Sequence, residues 1–295
     1  RAHCCFDLIQ IYLSLFFCFH QSGNSLGVGF CLMPFIIFTI LNEYCYSNMK
    51  IGLFIPCFVD QLYPQAGMAT LDLLEKQGYN VEYPKKQTCC GQPMANTGCE
   101  KDVKKLAKKF VKLFSGYDYV VSPSASCVVM VKEQYEQYVG DMPGFAHLKE
   151  NIFEVCEFLH DIVKVEKLNA SFPFKVGLHN SCHGHRLLGL GKPSELNIPF
   201  FSKLEYLLRL VDDINLVNLG REDECCGFGG TFSINEPEVS VAMGNDRIQD
   251  HLDAGAEYIT GADYSCFIHL EGVIREEKHP VKLIHIAEIL NGDKV

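Results

Sequence analysis

Eight cysteines of this chain fall into two sets with the same internal order. The first set is Cys57, Cys89-Cys90-Gly91 and Cys127, and the second is Cys182, Cys225-Cys226-Gly227 and Cys266. Each comprises a lone cysteine ending an apolar stretch, a vicinal pair followed by glycine, and a later cysteine. Four thiols drawn from three segments suit a metal centre, and thiolates are soft ligands for iron–sulfur clusters or zinc. Adjacent thiolates on one extended backbone point apart, so Cys89 and Cys90 do not easily chelate one small ion. They readily bind two different irons of one cluster. The glycine after each pair can adopt φ > 0 or approach a cluster closely. A helix N-terminus nearby would give the sulfurs N–H donors and raise the reduction potential.

A single free cysteine is commonly a small core residue. Eight of them repeated in order, with Cys-Cys-Gly twice, argue against packing alone. Three chemistries stay open on the residues: iron–sulfur centres at one or both sets, a zinc-stabilised structural module, and a metal-free thiol/disulfide redox protein.

The elements that must position these thiols repeat as well. Lys50-Ile51-Gly52-Leu53-Phe54-Ile55-Pro56-Cys57 parallels Lys175-Val176-Gly177-Leu178-His179-Asn180-Ser181-Cys182. Tyr119-Val120-Val121-Ser122 before Cys127 parallels Tyr258-Ile259-Thr260-Gly261 before Cys266. The period is far too long for a solenoid, and it predicts two similar modules. Strands are expected at 51–56, 80–83 and 117–122, with helices at 62–77, 99–114 and 126–138 and one or two more in 145–167. The second copy repeats the order: strands at 174–178, 214–219 and 258–261, helices within 200–210, at 236–254 and at 266–275, and a last helix at 282–290. Such alternation predicts an α/β fold of two pseudo-symmetric βα modules with parallel sheets. Ligands of open α/β sheets bind at the carboxyl ends of the strands, where the motif cysteines fall. We expect modules at 49–167 and 168–295.

The remaining composition narrows the function classes. The 295 residues carry 15 cysteines and a formal net charge of −10. A secreted disulfide protein is usually short and loop-rich, so a reduced, cytoplasmic protein with metal-bound thiolates fits better. Nucleic-acid binding is not expected of an acidic chain lacking a basic, aromatic-laced surface. The lysines from Lys101 to Lys112 have helical spacing and are expected to form a solvated helix face. Residues 1–48 differ in kind, with five cysteines (Cys4, Cys5, Cys18, Cys31, Cys45) at no motif spacing and few charges. We read them as upstream read-through or a hydrophobic extension, with Met49 the expected start and no membrane span in the native protein. Cys99 and Cys156 lie outside both sets and are expected to fill cores.

With those motifs, Cys89-Cys90-Gly91-Gln92-Pro93, Ser181-Cys182-His183 and Cys225-Cys226-Gly227-Phe228-Gly229-Gly230-Thr231-Phe232-Ser233, the chain resembles the cysteine-rich CCG-domain family. That family includes the B subunit of heterodisulfide reductase and iron–sulfur subunits of glycolate and glycerol-3-phosphate oxidation. Within it, A-type subunits of lactate utilisation resemble the chain from Met49 to near its C-terminus. The resemblance implies an iron–sulfur electron-transfer subunit, with one or two four-iron clusters on the eight cysteines, in a complex oxidising L-lactate to pyruvate. It implies partners as well: other iron–sulfur and accessory subunits that hold flavin or nicotinamide, a small 2-hydroxy acid substrate, and any membrane association made through those partners.

The chain departs from the heterodisulfide reductase pattern, in which each repeat ends Cys-x-x-Cys. Met130 stands three residues after Cys127 and His269 three after Cys266. An i, i+3 spacing at a helix start puts both side chains on one face, so His269 is a candidate metal ligand and Met130 a weak one. His183, His185 and Arg186 follow Cys182 and are the candidate catalytic residues: a histidine can hydrogen-bond cluster sulfur or relay a proton, and arginine can bind a carboxylate bidentately. Their other role would be ordinary helix-start capping. Gly227-Phe228-Gly229-Gly230 lacks the strand and spacing of a phosphate loop and suits close backbone packing. The second set, with more polar neighbours, is the expected seat of any chemistry.

Overall fold

The structure, a computed structural model, describes residues 49–293. Residues 1–48, with the expectations attached to them, lie outside the described part. Two four-stranded sheets carry the fold. Strands β1 (Lys50–Leu53), β2 (Asn80–Glu82), β3 (Tyr119–Ser122) and β4 (Ile152–Glu154) lie in the order β2-β1-β3-β4. Strands β5 (Lys175–Leu178), β6 (Asn215–Leu216), β7 (Tyr258–Gly261) and β8 (Lys282–His285) lie in the order β6-β5-β7-β8. The pairings β1–β3, β3–β4, β5–β6, β5–β7 and β7–β8 are all parallel. The two orders are the same, so the repeat in the sequence is a repeat of topology, and both sheets belong to one compact unit.

Parallel strands are covered on both faces and therefore read as short apolar runs. Ile51, Leu53, Val120, Val121 and Ile152 are buried in the first sheet, and Val176, Ile259 and Ile284 in the second. Helix α1 (Cys57–Leu62) begins at the motif cysteine, and α2 (Pro64–Lys76) follows after Tyr63. Helix α3 (Gln92–Asn96) starts just after Gly91, and α4 (Glu100–Phe114) turns Val103, Ala107, Phe110, Val111 and Phe114 inward. Its lysines are exposed, as the amphipathic spacing requires. Helix α5 (Ala125–Val129) carries Cys127 and passes into a wider π-type turn at Met130–Gln134. In the second module the main helices are α6 (Lys203–Leu208), α7 (Pro237–Asp253), α8 (Tyr264–Glu277) and α9 (Ile286–Asn291).

Three expectations need correction. The stretches 145–167 and 282–290 do not hold helices alone: each contains the fourth strand of its sheet. Both strands run straight into a helix through one residue that is strand end and N-cap at once, Glu154 or His285. Each takes part in a capping box, with Glu157 or Glu288. Strand and helix thus form one unbroken apolar run. Cys156 is fully buried, as expected, but Cys99 is exposed at the start of α4. Among the described residues no helix is long and apolar enough to cross a membrane.

Candidate metal centre

In each sheet the chain leaves the first strand, forms the edge strand, and crosses back to the third. The crevice at that reversal opens between the carboxyl ends of β1 and β3, or of β5 and β7. Cys57 and Cys127 stand just beyond β1 and β3, and Cys182 and Cys266 just beyond β5 and β7. The vicinal pairs arrive on the loops after β2 and β6. Topology alone brings four sulfurs together twice.

Local bonds fix the loops. Gln87 accepts the Ile55 N–H at 2.8 Å and donates to the Leu53 carbonyl at 3.3 Å, which ties the Cys89-Cys90 loop to the end of β1. In the second module Asn180 Nδ2 donates to the Glu222 carbonyl at 3.1 Å, with the same effect on the Cys225-Cys226 loop. Gly91 and Gly227 have φ of 90° and 88°. That turn folds their amides back onto the preceding sulfurs, Gly91 N–H to Cys89 Sγ at 3.3 Å and Gly227 N–H to Cys225 Sγ at 3.4 Å. The buried Tyr135 hydroxyl donates to the Cys90 carbonyl at 2.8 Å. Ser240 Oγ on α7 does the same for the Gly227 carbonyl at 2.8 Å.

The sulfurs of each set form a chain of contacts, Cys57 to Cys89 to Cys90 to Cys127 and Cys182 to Cys225 to Cys226 to Cys266, so the vicinal thiols, expected to point apart, instead touch. Cys90 and Cys127 Sγ lie 3.3 Å apart, well beyond a disulfide bond, and all eight thiols are free. Hydrogen bonds from Cys57 and then Cys90 pull the Cys89 thiol down to about 3. Those from Cys182 and then Cys226 pull Cys225 down to about 2. Their donors are pushed up in turn: Cys57 and Cys182 by the bond to the central thiolate, Cys90 first by its bond to Cys127, Cys226 first by Cys225. Each set is thus poised around one thiolate, the first of several charges that a cation would stabilise.

All eight cysteines line one cavity of about 780 Å³. The two modules meet beside it through Asp263, the N-cap of α8. Its carboxylate accepts from its own Ser265 N–H at 3.1 Å and, across the modules, from the Ser126 N–H at 2.8 Å and Ser126 Oγ at 3.1 Å. The helix starts that carry Cys127 and Cys266 are therefore held by one buried side chain.

Of the histidines and arginine noted in the sequence, His183 lines the cavity, its Nε2 3.4 Å from Gln92 Nε2 of the first module. His185 is buried beside Asp223, and Arg186 is held by Glu195 at 2.8 Å and Asp223 at 3.1 Å, so both forks of its guanidinium are engaged. Met130 is packed in the first core. His269 Nε2 lies 3.0 Å from the Ser240 carbonyl. The histidine that reaches the second set is His179: one of its ring nitrogens, Cys226 Sγ and Cys266 Sγ lie within 4.8 Å of one another. Burial, with Arg247 nearby, drives its imidazole down to about 3. Its signal in the sequence was the internal repeat, where His179 takes the place of Phe54.

Fold and site together define a two-module α/β protein that gathers two sets of four thiols at neighbouring switch points. The chain belongs to the CCG cysteine-rich domain family, whose model matches residues 51–132 and 176–271. It is 39% identical over 247 residues to lactate utilization protein A of Halalkalibacterium halodurans, covering 82% of this chain and 97% of that protein. It is 40% identical over 250 residues to lactate utilization protein A of an Exiguobacterium species, with the same coverage. Among solved structures, a hypothetical protein from Helicobacter pylori shares the fold at a TM-score of 0.55 and 11% identity. That match covers 84% of this chain, which spans half of the Helicobacter protein's length.

Proposed function

We propose that this chain is an iron–sulfur electron-transfer subunit of a multi-protein complex that oxidises L-lactate to pyruvate, with modules at 49–167 and 168–295. The observation that carries the metal assignment is the twofold convergence of four free, mutually contacting thiols on one cavity. The substrate class rests on the relatives, which are named for lactate utilization. Cys57, Cys89, Cys90 and Cys127 would hold one four-iron centre, and Cys182, Cys225, Cys226 and Cys266 the other. Such a centre, when bound, supplies one-electron acceptance and release.

The rest is the work of the chain. Gly91 and Gly227 amides hold the central thiolates in place by N–H···S bonds. Phe54, Phe110 and Val103 keep water from the inner side of the first set. Oxidation of a 2-hydroxy acid to the keto acid releases two electrons and two protons. The two sets, one electron each, match that number of electrons. Flavin or nicotinamide chemistry is left to partner subunits, which we expect to include other iron–sulfur and accessory chains. His183 supplies the imidazole on the cavity wall and is the side chain best located to carry a proton there.

Anaerobic purification tests this reading. The protein should be brown, contain iron and sulfide, and show a reducible spectroscopic signal. Cys90→Ser should remove one centre and Cys226→Ser the other. Stoichiometric zinc without iron would make it a structural module, metal-free reversible thiols would make it a disulfide exchanger, and unaltered metal in both variants would refute the ligand sets.

A further inference from the structure

The two modules part company behind their sulfurs. At the first set the wall is apolar: Phe54 is fully buried and packs edge-on against Phe110 at 4.8 Å and Phe114 at 5.7 Å. In the second module the corresponding residue is His179, 1% exposed. Among the described residues, neither of its ring nitrogens has a hydrogen-bond partner. A neutral imidazole carries one donor nitrogen and one acceptor, and burying both unmet is costly. Behind it lie His251 and Arg247, also buried. Arg247 can only donate; its Nη1 is taken by Asp250 at 3.1 Å and by the Arg221 carbonyl, and its Nε and Nη2 have no partner among the described residues. Neither Arg247 nor His251 bonds the His179 ring. What its ring does face is sulfur, one nitrogen grouped with Cys226 Sγ and Cys266 Sγ inside 4.8 Å, a span across which a bound metal ion would reach all three.

We propose that His179 is a fifth protein donor of the second set, binding the iron centre there through its ring nitrogen beside Cys226 and Cys266. The second centre then has mixed sulfur and nitrogen ligation, while the first, with Phe54 at that place, is held by sulfur alone. This inference rests on the iron–sulfur reading above. His269 is the competing donor, but its Nε2 lies against the Ser240 carbonyl.

Pulsed electron paramagnetic resonance of the anaerobically purified, reduced full chain tests it, comparing protein grown with ¹⁴N- and ¹⁵N-labelled histidine. Iron and sulfide are measured on the same samples. We expect a directly coordinated histidine nitrogen in the signal of one centre, present in Cys90→Ser and His269→Phe and lost in His179→Phe. The last variant installs the residue of the first module and should leave the iron of the first set in place. Protein rich in iron and sulfide but without coordinated histidine nitrogen overturns the proposal, and so does a coupling that survives His179→Phe or disappears with His269→Phe. Protein without iron and sulfide refutes the underlying reading instead, and this inference falls with it. The wild-type spectrum decides even if a variant fails to fold.

Discussion

Gly91 and Gly227 occupy equivalent places with nearly the same backbone, φ 90° and 88°, yet alanine should be tolerated at one far better than at the other. The left-handed backbone costs any residue with a Cβ about 1–2 kcal/mol. At Gly91 an added Cβ meets Leu106 Cδ1 at 3.4 Å, with Leu106 Cβ and Val103 Cγ1 at 3.8 Å, all ordinary van der Waals contact. At Gly227 it would sit 2.6 Å from the Ser240 carbonyl oxygen and 2.7 Å from Met243 Cβ, both on helix α7. Neither can swing away, so the loop or the helix must move, and overpacking of that kind adds about 1–3 kcal/mol. Gly91→Ala should therefore cost about 1–2 kcal/mol and Gly227→Ala about 2–5 kcal/mol. The movement would also stretch the Ser240 to Gly227 hydrogen bond and shift Cys226, so the second set should lose metal before the first. Anaerobic urea unfolding of both variants, with metal content read before denaturation, makes the comparison. If Gly91→Ala proves as damaging as Gly227→Ala, close packing of the second loop on α7 is not what demands glycine there.

Asp263→Ala removes a buried carboxylate shared by two helix starts and should cost about 3 kcal/mol or more. A thermal melt within about 1 kcal/mol of the parent would show that the modules do not depend on this bond set. Glu154 is fully buried, and desolvation raises its carboxyl to about 8 from an ordinary 4.5. The folded protein keeps it protonated where the unfolded chain ionises it, so its contribution to stability is intact below 4.5 and falls as pH rises toward 8. At full effect the loss is on the order of 5 kcal/mol. Glu154→Gln should flatten that decline, and an unchanged slope of stability against pH would discount Glu154. Arg247 is a buried guanidinium ion-paired with Asp250 at 3.1 Å, and it also interacts electrostatically with Cys226. Since a cation favours the more reduced, more negative state of a nearby centre, Arg247→Met should lower the reduction potential of the second centre only, as followed in a spectroscopic redox titration. Equal shifts at both centres would remove Arg247 as the cause.

What the sequence made legible is what repeats at long range. The cysteine order, the glycine after each pair and the strand–helix alternation each appear twice, and each is a demand of topology: sulfur at a strand's carboxyl end, a left-handed residue at a loop reversal. The fourth strands stayed hidden because a strand of three or four residues, merging into a helix without a turn, offers neither a period of two nor a boundary. Glu154 and His285 are the only punctuation there, and both look like ordinary helix-start residues until the sheet is seen. His269 drew attention by spacing along one helix, which says nothing of what lies opposite. Its neighbour is a backbone carbonyl on α7.

His179 shows how the repeat can be used once the fold is known. Two modules on one plan bury equivalent positions equally, so a phenyl at Phe54 matched by an imidazole at His179 is a buried apolar group exchanged for a buried polar one. Such an exchange is unfavourable unless something in the second module takes up the nitrogens. Arg247 and His251 deepen the contrast, because they place further unpaired polar atoms on the buried face of α7, where the buried face of α4 carries Phe110 and Phe114. Evolution from a common module would tolerate an inert second copy that drifted toward apolar packing. It would not accumulate two buried imidazoles with unmet nitrogens, and a buried guanidinium only partly paired through Asp250, behind one cysteine set without a role for them. The second set, then, is where the polar interior and the sulfur meet, and a difference in ligation or potential between the two sets is the property to measure first.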